Sequence, residues 1–369
     1  MTLPDWQSGP ANRWAFQHVD EIVPCVPISR GSGPVLALNE APHPLGDWVD
    51  VFVEKSYTDG LLVLHGRDVL YERYLNDMTP TTRHLLQSVS KSLTSAVFGR
   101  YVENGSVLVD ALASTYVPEL AGSAYGDATV RHLLDMTVAV KYDEEYANPD
   151  SEVQRHERAG GWRTPLPGDP ADTYEFLPTL QKSGEHGRTF AYCSADTEVL
   201  AWILERVSGR TFVGLLASDL WTRMGAEDDA YVSVDPAGFG MASGGICVTL
   251  RDLARFGRMV LDDGVGPDGA EVTPAAWLAD VRGGGDPAAA AGSFGTVHPG
   301  GSYRNQFWIT GDSHGCFYGV GIYGQYVWMD PASDVVIAKL SSLPVADADA
   351  DWADHIAFFT RLSHGLRDA

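Results

Sequence analysis

"QSVSKSLTSAV", residues 87–97, is the stretch whose reading decides the fold. From Ser88 onward Val89, Leu93, Val97 and Tyr101 recur every four residues, and Gly105 follows as a stop. That spacing predicts a helix of roughly four or five turns. Ser88 and Lys91 are three apart, so a helix puts their side chains on one face. Serine is a weak nucleophile until a base takes its proton, and a lysine amine with a pKa lowered by burial can do that. Unpaired N–H groups at a helix N-terminus would also stabilise an oxyanion on a carbonyl attacked by Ser88. Chance produces the same spacing. With five lysines and 25 serines in 369 residues, roughly 0.3 such pairs are expected at random. Taken alone, the pair fits a wet surface helix as well as a catalytic one.

Composition narrows the classes. The chain is 44% hydrophobic and 10% aromatic, enough for a large core and for more than one lobe. No apolar run approaches a membrane span. The first residues, MTLPDWQSGPANRWAFQHVDE, lack the pattern of a secretory signal, so the expected compartment is the cytoplasm. The net charge of -23 disfavours nucleic acid and anionic membranes as partners. It fits a solvated acidic surface, and it fits neutral or cationic substrates. Cys25, Cys193, Cys247 and Cys316 are scattered without a C-x-x-C pair, and the histidines form no H-x-x-x-H pair. Neither a disulfide framework nor a metal is expected, and no cofactor motif is present. The expected partner is a small-molecule substrate, with a homodimer left open.

Along the chain, LLVLHG (61–66) and VLYERYL (69–75) read as a hairpin. The segments ATVRHLLDM, PADTYEFLPTLQ, SADTEVLAWILERVSGR and FVGLLASDLWTRM read as helices. Between them runs a polar loop, residues 142–170, long enough to suggest a functional lid or wall. VTLRDLARFGRMVLDDG reads as an amphipathic helix. NQFWIT, GQYVWMDP and SDVVIAKLSS read as strands, and ADWADHIAFFTRLSHGL as a closing helix. The pattern predicts an α+β fold. An α/β lobe would comprise 1–105 and 246–369, a mainly helical lobe 106–245, and a cleft would lie where they meet.

Two more elements bear on Ser88. FAYCSADTEVLAWILERVSG places Tyr192 just before a helix, with Ser194 as its expected cap. Tyr192 could project into the lobe boundary or be a half-buried core tyrosine. GVGIYGQYVWMDP (319–331) reads as a strand whose glycines, Gly319 and Gly321, allow close backbone approach to a substrate. An ordinary edge strand with bulge glycines would read the same way.

In that order, S-x-x-K, Tyr-x-Ser and a Gly-x-Gly strand resemble the serine β-lactamase and penicillin-binding superfamily. The likeness extends through NRWAFQH, HLLQSVSKSLTS, YVPELAGSAY, PDSEVQRHERAGGWRT, GDPADTYEFL, YCSADTEVLAWILERV, TLRDLARFGRMVLD, GIYGQ and VVIAKLSS. Within the superfamily the chain is most similar to the 6-aminohexanoate-dimer hydrolase branch, near the family VIII carboxylesterases. The resemblance implies a β-lactamase-like (transpeptidase) fold, with a central antiparallel sheet flanked by helices and an all-helical lobe. It implies Ser88 as nucleophile, Lys91 and Tyr192 acting together as base and then acid, and the N–H groups of Ser88 and Ile322 as oxyanion hole. It places Tyr146, Glu157, Trp162 and Ser243 around the substrate, with Glu157 able to hold an ammonium end. The implied reaction is hydrolysis of short linear amides and short-chain esters through an acyl-enzyme. Two departures matter. The lysine of the superfamily's K-T-G motif is absent, which weakens a penicillin-directed reading. Ser243 stands where an Asn is expected in amide-active relatives. A carboxylesterase with little amidase activity, and a non-catalytic binding protein of the same fold, remain as alternatives.

Overall fold

The computed structural model describes residues 6–294, 297–346 and 349–367. Strands β1 (Cys25–Ile28), β2 (Asn39–Glu40), β3 (Thr58–His65), β4 (Asp68–Tyr74) and β5 (His84–Leu85) precede the Ser88 helix, Val89–Glu103. β6 (Ala230–Ser233) and β7 (Ile246–Val248) follow the helical stretch. β8 (Ser302–Arg304), β9 (Phe307–Ile309), β10 (Phe317–Gly321), β11 (Gln325–Asp330) and β12 (Val335–Ser341) complete the strands. They form two sheets: eight strands in the order β2-β4-β3-β12-β11-β10-β9-β8, and four in the order β1-β6-β7-β5. All pairings are antiparallel except β2 with β4.

The large sheet is covered on both faces, so its central strands read as unbroken apolar runs instead of alternating ones. Leu61 and Val63 of β3 pack with Val335 and Ile337 of β12 against the helix Asp47–Lys55 and the C-terminal helix Asp349–Gly365. Leu62, Leu64, Val336 and Ala338 point the other way, into the main core with Leu253 and Phe256 of the helix Leu250–Leu261. Burying each such side chain contributes about 1.5–3 kcal/mol.

The Ser88 helix runs through this core, and every residue from Val89 to Gly99 is buried. Its polar residues are therefore not a solvated face; each is satisfied internally, as burial requires. Ser90 Oγ accepts from Ile246 N at 3.2 Å, Ser92 Oγ donates to Gln306 O at 3.0 Å, Thr94 Oγ1 donates to Ala242 O at 3.1 Å, and Ser95 Oγ accepts from Trp277 Nε1 at 3.2 Å.

Helices are the commonest regular elements of 106–245, separated by long irregular stretches, and β6 lies within it and pairs with β1 and β7 from outside. The polar stretch 142–170 is not plain loop: Glu152–Ala159 forms a helix, capped by Ser151 Oγ accepting from Gln154 N. The sequence hides it because its buried side is built from Gln154, His156 and Glu157 as well as Val153 and Ala159. Among the described residues, no helix is long and apolar enough to cross a membrane.

Candidate active site

Ser88 is the residue from which the buried helix starts. Gln87 before it is held at φ 47°, a left-handed conformation uncommon for a side chain of that size and one that recurs at functional turns. One helical turn on, Lys91 is 1% exposed. Its Nζ donates to three oxygens: Ser88 Oγ at 2.9 Å, Ser194 Oγ at 3.0 Å and the backbone oxygen of Ser243 at 3.0 Å. Three donors meet three acceptors, so the amine is fixed without an ion pair. Burial pushes the Lys91 pKa down to about 8, against the smaller opposing pull of Glu144 and Glu198.

Ser194 is the first residue of the helix Ser194–Ser208, not its cap; the flanking position is Cys193. The Ser194 hydroxyl is committed to Lys91 instead. The Ser194 N–H donates to Glu144 Oε1 at 2.5 Å, and Tyr146 Oη donates to Glu144 Oε2 at 3.2 Å. Desolvation raises the Glu144 pKa, while nearby Lys91 and the Ser194 hydrogen bonds lower it. Tyr192 stands beside this array. Lys91 Nζ lies 4.9 Å from its ring centroid, and the ring packs on Trp308.

Behind Lys91, Glu198 is fully buried and accepts from the N–H groups of Ala242 and Ser243, both at 2.9 Å. Burial raises its pKa to about 7. The neighbouring His156 is pushed down to about 3, again by burial, and so stays neutral. Glu198 therefore clamps the segment whose carbonyl receives Lys91.

β10 closes the other side. A Cβ on Gly321 would stand 2.5 Å from Leu86 O and 2.9 Å from Ser88 N, and one on Gly319 would stand 2.7 Å from Ser92 Oγ. The two glycines are there so that the strand can press against the Ser88 helix, rather than against a substrate. Ile322 follows directly and lines the same cavity as Ser88, Tyr192, Tyr146 and Glu144, of about 300 Å³. Its remaining wall is largely apolar and aromatic, including Trp308, Val320, Tyr326 and Trp352.

The other substrate-side residues lie deeper. Glu157, Trp162 and Ser243 line a small adjoining recess that also reaches Ser88 and Tyr146. Glu157 is buried, accepts from Gln7 Nε2 at 3.2 Å and is paired with Arg163. Trp162 donates its indole N–H to Ser233 Oγ at 2.9 Å. Ser243 offers its carbonyl to Lys91, and its hydroxyl as well as its N–H engages Glu198. Two carboxylates, Glu144 and Asp351, line the main cavity, and Glu144, bonded to the Ser194 N–H, is the one that sequence reading passed over beside the Lys91 array. It is one of three acidic residues in YDEEY that look alike until the fold selects one.

Comparison with known proteins places the chain in a family. The chain is 46% identical over 372 aligned residues to the 6-aminohexanoate-dimer hydrolase of Paenarthrobacter ureafaciens, covering 99% of this chain and 91% of that one. A solved structure of a candidate 6-aminohexanoate-dimer hydrolase from Bacillus anthracis superposes with a TM-score of 0.90 at 26% identity, covering 100% of this chain and 97% of the other. A family VIII carboxylesterase superposes with a TM-score of 0.63 at 13% identity over 87% of this chain and 99% of the other, a likeness of fold. The family model described as Beta-lactamase matches residues 48–359, and the chain belongs to that family.

Proposed function

We propose that this hydrolytic enzyme opens short linear amides of the 6-aminohexanoate-dimer type, and short-chain carboxylic esters, through an acyl-enzyme on Ser88. The observation that carries the reading is the buried Lys91 amine, 2.9 Å from Ser88 Oγ and with its pKa lowered to about 8.

In this scheme Ser88 Oγ attacks the carbonyl carbon and its proton passes to the Lys91 and Tyr192 pair. The oxyanion that forms is received by the N–H groups of Ser88 and Ile322. The C–N or C–O bond breaks, and the leaving amine or alcohol takes up the proton. Water then cleaves the ester to Ser88, with the same pair removing its proton. The apolar walls suit a methylene chain, and Glu144 suits a cationic end.

A second reading, an esterase with little amidase activity, is favoured by Ser243. Its hydroxyl is turned to Glu198, so no side-chain amide is offered to a leaving amine at that position. A panel of linear amide dimer, p-nitrophenyl acetate and nitrocefin, run beside Ser88→Ala, separates these. The proposal expects amide and ester turnover, both lost by several orders of magnitude in Ser88→Ala. Ester turnover alone supports the second reading, and an unimpaired Ser88→Ala enzyme would end both. The four unpaired cysteines fit the cytoplasm as the compartment.

A further inference from the structure

At the end of β10 remote from Ile322, five ligand-type side chains from three separate segments converge. Asp312 and Cys316 come from the turn between β9 and β10, Asp330 ends β11 with His314 against it, and His364 comes from the last turn of the C-terminal helix. Cys316 and Asp330 are fully buried. His364 Nε2 faces Asp312 Oδ2 at 3.7 Å, Cys316 Sγ at 3.8 Å and Asp330 Oδ2 at 4.0 Å. Nitrogen and oxygen atoms in an ordinary hydrogen-bonded cluster close to about 2.8–3.0 Å. His364 Nε2 stands wider than that from both carboxylates. Ligands at zinc bond lengths, about 2.0 Å for N and O and 2.3 Å for S, lie roughly 3.3–3.8 Å from one another in a tetrahedron. For the His364–Asp312 and His364–Cys316 pairs, at 3.7 and 3.8 Å, a contraction of a few tenths of an ångström suffices.

We propose that Asp312, Cys316 and His364, with Asp330 and His314 behind them, form a binding site for a divalent transition-metal ion, Zn²⁺ by its ligand set, distinct from the Ser88 cleft.

The surroundings are those of a metal site. Asp312 Oδ1 accepts from the N–H groups of His314 and Cys316, at 3.0 and 3.1 Å, which fixes the ligand-bearing turn. His314 Nδ1 lies 3.0 Å from Asp330 Oδ2 and its ring stacks on His364 with centroids 3.5 Å apart. It thereby braces His364 and holds the Asp330 carboxylate behind it, as residues behind metal ligands commonly do. Cys316 supplies the thiol of the set. Binding would break the S–H bond, release that proton to solvent and leave a thiolate on the metal. The ion would tie the C-terminal helix to the sheet. The ligands are 4 and 48 residues apart in turn, so no short motif announces them.

The test uses the full chain stripped with EDTA and titrated with Co²⁺ as a spectroscopic stand-in for Zn²⁺. The proposal expects one Co²⁺ per chain, a near-ultraviolet thiolate-to-cobalt charge-transfer band, and loss of that band when Zn²⁺ displaces Co²⁺. Cys316→Ser should abolish the band while Cys25→Ser keeps it, and His314→Ala should weaken binding by about 10–100-fold. Ester turnover should be unchanged in all three. If Cys316→Ser does not fold, His364→Gln at the helix end asks the same question, and the wild-type spectrum stands alone. No band in wild type, or a band that survives Cys316→Ser or His364→Gln, overturns the site.

Discussion

Lys91 and Glu198 are joined through the backbone of one residue: Ser243 O receives the amine and Ser243 N–H donates to the carboxylate. The amine is thus fixed by a peptide unit, and the charge sits one step behind it. Because burial lowers the Lys91 pKa to about 8, its basic form prevails only above that value. We expect kcat/KM for a neutral ester to rise with pH through a limb near 8. Glu198 raises the Lys91 pKa, so Glu198→Gln should move the limb to lower pH. A wild-type profile flat from pH 6 to 10 would rule out Lys91 as the base.

Lys91 should also cost the fold stability. Its folded pKa, about 8, lies below the ordinary 10.5, so the unfolded chain holds the proton more tightly between those values. The cost is full below pH 8 and fades as pH rises to 10.5. It is bounded by about 3 kcal/mol, and the hydrogen bonds lost with the amine offset part of it. Lys91→Met should therefore be inactive yet more stable by about 1–2 kcal/mol at pH 7. Denaturant melts at pH 7 and pH 10 check this, the gain shrinking at the higher pH.

Glu144 is the cleft carboxylate held beside the Lys91 array through the Ser194 N–H, whereas Glu157 is already paired with Arg163. Glu144→Gln should raise KM for an amino-terminated linear amide by about 10-fold, the scale of one ion pair in a partly wet site. KM for p-nitrophenyl acetate should stay nearly constant. Equal losses on both substrates would place Glu144 in the catalytic frame instead.

Legibility in the sequence followed length and period. The hairpin of β3 and β4 and the helices at 89–103, 194–208 and 250–261 all carry runs long enough to show a period. What the sequence concealed was burial. Serines and threonines at every other position of the Ser88 helix suggest solvent, and only the fold shows each one bonded inside the core. The convergence of Ser88 with Lys91 was readable because they lie three positions apart on one helix. Glu144 and Glu198 were not, because their roles depend on contacts 50 and 44 residues away with Ser194 and Ala242.

Gly321 and Gly319 make a matched pair for testing how β10 shapes the oxyanion site. A methyl on Gly321 meets backbone, Leu86 O at 2.5 Å and Ser88 N at 2.9 Å, neither of which can turn aside. The strand must move off the helix N-terminus, carrying the Ile322 N–H with it. Gly321→Ala should therefore lower kcat by about 10²–10³-fold, the usual loss for one oxyanion donor, with a smaller change in KM. A methyl on Gly319 meets Ser92 Oγ at 2.7 Å, the tip of a side chain that can rotate at the loss of its bond to Gln306 O. Gly319→Ala should cost about 1 kcal/mol of stability and little kcat. Steady-state kinetics and thermal melts of the two variants check the contrast; if kcat falls equally in both, β10 acts through packing alone and Ile322 is not the second donor.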